Sequence, residues 1–223
     1  MGAWPRNPRD EFPPPRGREE SGPDRVLVRA GLAAVATALV AYLFPFYPAP
    51  VRAPDAGVLP GSSAAAPPAA GRAGAYSPPV SLGVPGHLRP TPVDPVTADR
   101  TGAMAVPESP ARLGWWALGA PPGAARGTVL LAGHLDSAAE GAGPFEALHD
   151  VPLGARAHLT TADGRHHTYR IVARRTYAKE ALPQDVFTPR GTPRLVLVTC
   201  TGTFDPATHA YAENLVLYGE PAR

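Results

Sequence analysis

The chain carries a series of short apolar runs that are rich in Val, Leu, Ile and Tyr and are bounded by Pro, Gly and Asp. Each run is five to seven residues long, which suits a β-strand better than a helix. Two further stretches, Gly143–His149 and Glu180–Phe187, fit short helices. This spacing predicts a mainly β fold, a closed or nearly closed barrel with short helical insertions. The runs are Val80–Val84, Thr128–Ala132, Ala157–Thr161, His167–Ala173, Leu195–Thr199 and Asn214–Tyr218.

The segment Ala162-Asp163-Gly164 separates two of these runs. An Asp-Gly pair tolerates the positive backbone angles of a tight turn. We therefore predict a β-hairpin that joins the run ending at Thr161 to the run beginning at His167.

The N-terminal part predicts a membrane anchor. Residues 1–29 mix arginines with acids and prolines, which indicates a disordered cytoplasmic tail. No residue from 30 to 51 is charged, and residues 30–48 are apolar enough to predict a transmembrane helix or signal anchor. Arg25 and Arg29 precede this stretch, so the positive-inside rule places the remainder of the chain outside the cell. Val51-Arg52-Ala53 is a poor cleavage site, and we expect the anchor to remain uncleaved.

Residues 49–79 are rich in Ala, Pro, Gly and Ser, without any period. Such a segment has too little apolar surface to offset the entropy lost on ordering, which predicts a disordered spacer. The remaining residues, 80–223, have the length of one folded domain. We expect all of the chemistry to lie there.

Composition excludes two classes of function. The net charge is only +2, and the arginines are scattered without a basic stripe, so we expect no nucleic-acid binding. Cys200 is the single cysteine, and the histidines are dispersed, so the paired ligand spacing of a zinc site is missing and we expect no metal.

Cys200 and His134 each end an apolar run. A thiol becomes a useful nucleophile when a neighbouring base favours its thiolate, and His is the usual partner. His134 follows Gly133, where a side chain is presented at the rim of a sheet. A structural core thiol is the alternative interpretation of Cys200. The competing histidines are His87, His149, His158, His166, His167 and His209.

Several segments, taken in order, resemble a sortase of the actinobacterial class F kind. The strongest are the Gly-His-Leu-Asp segment at His134 and the Val-Thr-Cys segment at Cys200. The resemblance runs from about Val80 to Gly219. Its segments are Leu113–Trp116, Gly127–Ser137, Gly143–Leu148, Ala162–Gly164, Tyr177–Pro183 and Leu195–Cys200.

The resemblance implies an eight-stranded sortase β-barrel over residues 80–223 and a membrane-bound cysteine transpeptidase. The Cys200 thiolate would attack the Thr carbonyl of an LPXTG-like sorting signal on a surface protein, and His134 would protonate the leaving amine. An amine of a cell-wall precursor would then resolve the thioacyl enzyme. This chemistry needs no cofactor. We expect a monomer held at the cell membrane by a single span, with the catalytic domain outside the cell.

The sequence departs from the sortase pattern at one position. Sortases carry an essential arginine on the strand after the catalytic cysteine, which helps to hold the substrate and the oxyanion. The resemblance implies that it would fall at Ala212 or Asn214, and neither is charged. Three substitutes stay open: the amide of Asn214, His209 as a cation, or Arg174 or Arg175 from another strand.

Two further residues are candidates for supporting the site. Asp136 lies two residues after His134 on the same face and either orients the imidazole or caps a turn. Thr199 either offers a donor near the oxyanion or is an ordinary β-branched strand residue.

Two other functions stay open besides transpeptidation. A secreted cysteine peptidase would use the same Cys and His with water as the acceptor. A catalytically weak or inactive sortase-like binding module would keep the barrel and lose the charge, which the missing arginine permits.

Overall fold

β-Strands are the main regular elements of the part of the chain that the structure describes, residues 53–61, 76–100 and 102–222 of a computed structural model. The strands are β1 (Ala56–Gly57), β2 (Pro79–Val84), β3 (Leu88–Val96), β4 (Leu113–Trp116), β5 (Thr128–Ala132), β6 (Asp136–Ser137), β7 (Gly141–Ala142), β8 (Arg156–Thr161), β9 (His166–Ala178), β10 (Arg194–Asp205) and β11 (Ala210–Pro221). Three short 3-10 helices cover Pro144–His149, Lys179–Ala181 and Gln184–Phe187.

The predicted tail, residues 1–29, and the predicted membrane helix, residues 30–48, lie outside the described residues. Among the described residues, no helix combines the length and the apolarity that crossing a bilayer requires.

Eight of the strands close into a barrel. Around the barrel the order is β9, β11, β10, β5, β4, β3, β2 and β8, and β8 pairs again with β9. The pairs β5–β10 and β3–β4 are parallel, and the other neighbours are antiparallel. The prediction of a closed, mainly β barrel with short helical insertions is therefore confirmed.

Strand β10 is buried on both of its faces. Leu195 and Leu197 belong to the cluster inside the barrel, to which all eight barrel strands contribute. Val196 and Val198 alternate with them and belong to a second cluster on the outer face, which Val186 of the third 3-10 helix also joins. This double burial explains why the sequence of β10 is continuously apolar rather than alternating.

All six runs that predicted strands are strands, but β3 and β4 were not among them. Strand β3 contains three prolines, which lower the expectation of a strand because proline cannot donate to a ladder. The side chains of Pro90, Pro92 and Pro95 are exposed. Strand β4 has only four residues, all buried, and is too short to give a period.

The Asp-Gly hairpin is also confirmed. Strand β8 pairs with β9, and Gly164 takes a positive φ of +79° in the turn between them. Asp163 Oδ1 accepts hydrogen bonds from Thr161 Oγ1 at 2.6 Å and from Arg165 N at 3.3 Å. The hydrogen bond from Thr161 is the main cause that lowers the pKa of Asp163 below its usual value.

Residues 53–61 lie along the barrel, so the prediction of a disordered spacer is wrong for this segment. In β1, Ala56 pairs with Arg174 and Gly57 with Ala173. Arg175 donates to the carbonyl oxygens of Ala56 at 2.6 Å and Gly57 at 2.8 Å. Because side chains outside the segment hold it, its own composition gave no sign of order.

We predict that Gly57→Ala releases β1 from β9. Gly57 has a φ of +75°, and a Cβ there would lie 1.9 Å from Val172 O. A left-handed conformation alone costs a residue with a side chain about 1–2 kcal/mol. Amide exchange in residues 53–61 should therefore rise by about tenfold or more, as measured by hydrogen–deuterium exchange and mass spectrometry.

Gly86→Ala is the matched control. Gly86 has a φ of +81°, but nothing lies within 4 Å of its Cβ position. This variant should leave exchange in residues 53–61 unchanged. Exchange at the wild-type rate in Gly57→Ala would mean that β1 stays paired with β9 in spite of the added Cβ.

Candidate active site

The parallel pairing of β5 with β10 brings His134 and Cys200 to the same edge of the barrel. The last paired residues are Ala132 and Val198. Gly133 N then donates to Val198 O at 3.1 Å. His134 and Cys200 each follow two residues after the last pair, so they occupy corresponding positions on neighbouring segments.

The Cys200 thiol is half-buried and has a cationic neighbour. Lys179 Nζ lies 3.2 Å from Cys200 Sγ and donates a hydrogen bond to it. Asn214 is the residue of β11 directly opposite Cys200, and it is only 7% exposed. The Asn214 side-chain amide donates to Lys179 O at 3.2 Å. Cys200, Asn214 and Lys179 thus form one connected group.

His134 is anchored by a backbone carbonyl. His134 Nε2 lies 2.9 Å from Pro107 O. Because a carbonyl oxygen only accepts, Nε2 carries the hydrogen of this bond, and Nδ1 is the nitrogen left for proton exchange. Among the described residues, the hydrogen-bond partner of the thiol is Lys179 and not His134.

Two glycines leave room for the His134 backbone. A Cβ on Gly133 would lie 2.6 Å from Leu113 Cδ2, and one on Gly143 would lie 2.3 Å from His134 O. Gly143 N also donates to Leu135 O at 2.7 Å. The segment that carries His134 is therefore closely packed at both ends.

Asp136 contacts Tyr211 rather than His134. Tyr211 Oη donates to Asp136 Oδ2 at 2.5 Å. Burial, and then the hydrogen bond and charge of Asp136 together with the charge of Cys200, raise the pKa of Tyr211 well above its usual value. The phenol therefore stays protonated. Neither role predicted for Asp136 describes this contact.

Thr199 faces the barrel interior and not the thiol. Its side chain is 2% exposed, and Oγ1 donates to Gly133 O at 3.0 Å. The hydroxyl ties β10 to the residue that precedes His134. In this structure the Thr199 hydroxyl therefore links β10 to Gly133 and does not contact the thiol.

Only one of the residues predicted to substitute for the missing arginine lies opposite Cys200. Arg174 donates to Val151 O, and Arg175 to the carbonyl oxygens of β1. His209 lies in the β10–β11 turn with a φ of +51°, its ring 6.5 Å from that of Phe204. Of these residues, the structure brings Asn214 to Cys200.

Lys179 was not among the residues predicted for the site, although it lies in the Tyr177–Pro183 segment of the resemblance. It is the single lysine of the chain, among 21 Lys and Arg residues. Its distance from Cys200 along the chain follows no motif. Among the described residues, no group of three or more His, Cys, Asp and Glu side chains could hold a metal ion.

Comparisons with known proteins agree with the fold. A family profile, the sortase domain, matches residues 90–222. Streptococcus agalactiae sortase C1 is 18% identical, with a TM-score of 0.50 over 64% of this chain and 68% of that chain. Sortase A from Corynebacterium diphtheriae is 19% identical, with a TM-score of 0.46 over 66% of this chain and 62% of that chain. Listeria monocytogenes sortase A is 21% identical, with a TM-score of 0.45 over 65% of this chain and 88% of that chain. A comparison with curated proteins gave no match.

We predict that Thr199→Val lowers the free energy of unfolding by about 1 kcal/mol, because it leaves the buried Gly133 carbonyl without its side-chain donor. Urea unfolding measures the change. Thr160→Val, which removes a hydroxyl from an exposed hydrogen bond with His166, is the control and should have little effect. Unchanged stability in Thr199→Val would show that the Gly133 carbonyl does not depend on this donor.

Proposed function

Because the chain belongs to the sortase family, whose members are cysteine transpeptidases, we propose that it cleaves an LPXTG-like sorting signal and joins the substrate protein to a cell-wall amine. We place it in class F, on the strength of the Gly-His-Leu-Asp and Val-Thr-Cys segments. Its substrates are surface proteins that carry the sorting signal.

The position of Cys200 carries this proposal. The thiol lies on β10 just beyond the doubly buried stretch Leu195–Val198, is half-buried itself, and has Lys179 within hydrogen-bond distance. A reacting group needs this combination of a rigid support and access to substrate.

Acyl transfer then proceeds in two steps, which start from the Cys200 thiolate and a His134 that carries a hydrogen on both ring nitrogens. Cys200 Sγ bonds to the carbonyl carbon of the substrate Thr, and the bond from that carbon to the next nitrogen breaks. His134 gives the leaving nitrogen a proton through Nδ1, while Nε2 stays bound to Pro107 O. In the second step an amine attacks the thioester, the carbon–sulfur bond breaks, and His134 takes up the proton that the amine loses.

The proposal also includes the cellular setting. The uncharged stretch over residues 30–48 supports a single membrane span, with Arg25 and Arg29 on the cytoplasmic side. The catalytic domain then works outside the cell as a monomer, where both sorting signals and cell-wall precursors occur.

Intact-mass spectrometry of the full chain with an LPXTG-type peptide tests the function. We expect a thioester adduct in the wild type, an amine-linked product when glycine or diaminopimelate is added, and neither in Cys200→Ala. His134→Gln should keep the alkylation of Cys200 by iodoacetamide but lower acyl transfer by about a hundredfold or more.

The other outcomes identify the alternatives. Peptide cleavage that is unaffected by added amines would indicate a cysteine peptidase. Binding of the peptide without adduct or turnover, in a protein whose Cys200 still reacts with iodoacetamide, would indicate an inactive binding module and contradict transpeptidation.

A further inference from the structure

We propose that Lys179 is the cation of the Cys200 site, which pairs with the thiolate and then with the oxyanion of the substrate carbonyl. The second part of this role rests on the proposed function. Lys179 forms no covalent bond and transfers no proton in either step. Lys179 supplies the positive charge that Ala212 and Asn214, at the expected position of the arginine, do not carry.

The contact with Cys200 places the ammonium where negative charge develops. Lys179 Nζ lies 3.2 Å from Cys200 Sγ. When Sγ bonds to the carbonyl carbon, the oxygen on that carbon is the next neighbour of the sulfur, and the flexible lysine stem lets Nζ follow the charge onto it. A donor aimed at a developing oxyanion is usually the largest single contribution to acyl transfer.

The backbone of Lys179 is held by the strand partner of Cys200. Asn214 lies opposite Cys200 on β11 and opposite Tyr177 on β9. From this central position its amide binds Lys179 O at 3.2 Å. Asn214 is therefore a positioning residue, and it acts through Lys179 rather than by contact with the substrate.

The charge of Lys179 is not neutralised by a carboxylate within the described residues. The salt bridges found there all involve arginines, at Arg112, Arg165, Arg170 and Arg194. The carboxylate of Asp136 accepts a hydrogen bond from the Tyr211 hydroxyl instead. The ammonium thus remains available to the thiolate and to a bound acyl group.

Two methanethiosulfonate reagents of opposite charge test the role of Lys179 without any substrate. One ends in a sulfonate and the other in a trimethylammonium group, and the Cys200 thiolate attacks both in the same way, forming a mixed disulfide and releasing methanesulfinate. The thiolate fraction of Cys200 affects both rates equally, so the ratio of the two rates reports only the local charge. We expect Lys179→Gln to lower the anionic-to-cationic ratio by about tenfold, and Lys179→Arg to keep it.

Arg170→Gln is the charge-matched control. Arg170 is an exposed residue of β9 that pairs with Glu220 at 3.5 Å, and its loss removes one positive charge from the strand that precedes Lys179. This variant should leave the ratio within about twofold of the wild-type value.

Acyl-enzyme formation with the LPXTG-type peptide supplies the second measurement. Lys179→Gln should lower its rate by about a hundredfold, and Lys179→Arg should restore a large part of it. An unchanged reagent ratio in Lys179→Gln overturns the proposal, and so does acylation at the wild-type rate. A shifted ratio in a protein whose wild type forms no acyl-enzyme would support Lys179 as the cation and contradict the transpeptidase function.

Discussion

The parallel pairing of β5 with β10 is the constraint on which the candidate site depends. Parallel strands end at the same edge of a sheet, so two residues that are distant in the chain leave the barrel side by side. Gly133 continues this pairing beyond the last ladder residue, since its amide binds Val198 and its carbonyl accepts from Thr199. The relative position of His134 and Cys200 is therefore fixed by backbone geometry before any side chain of the site contributes.

Barrel closure makes that edge rigid. Strand β10 lies between β5 and β11 and has apolar neighbours on both faces, so it has no freedom to slide or tilt. On the outer face of β10 the apolar cluster ends at Val198, and the next residue on that face is Cys200. The two clusters thus define where reactive side chains can meet solvent, and Asn214 of β11 and Lys179 of the short helix after β9 complete the site.

The sequence was informative where local pattern and tertiary contact agree. Strands β5 and β10 could be predicted because double burial demands continuous apolar runs, and the β8–β9 turn because Asp-Gly has a distinct backbone preference. Cys200 and His134 could be identified from their positions at the ends of two such runs.

Prediction failed where long-range contacts decide the structure. Strand β1 is ordered by Arg175, more than a hundred residues later in the chain, and β3 keeps its place in spite of its prolines. The same reason hid Lys179, because only the folded sheet brings it to Cys200. The cations predicted for the site were His209, Arg174 and Arg175, whereas Lys179 lies in the short helix after β9.

The two glycines beside His134 have an evolutionary consequence. Neither Gly133 nor Gly143 has a positive φ, so space rather than backbone angle excludes other residues there. The hairpin between them, β6–β7, is free to diversify at its exposed tip, as at Ala138 and Ala139. Changes at that tip can alter the surface of the barrel while the backbone around His134 stays unchanged, whereas a side chain at Gly133 or Gly143 would meet Leu113 or the His134 carbonyl oxygen.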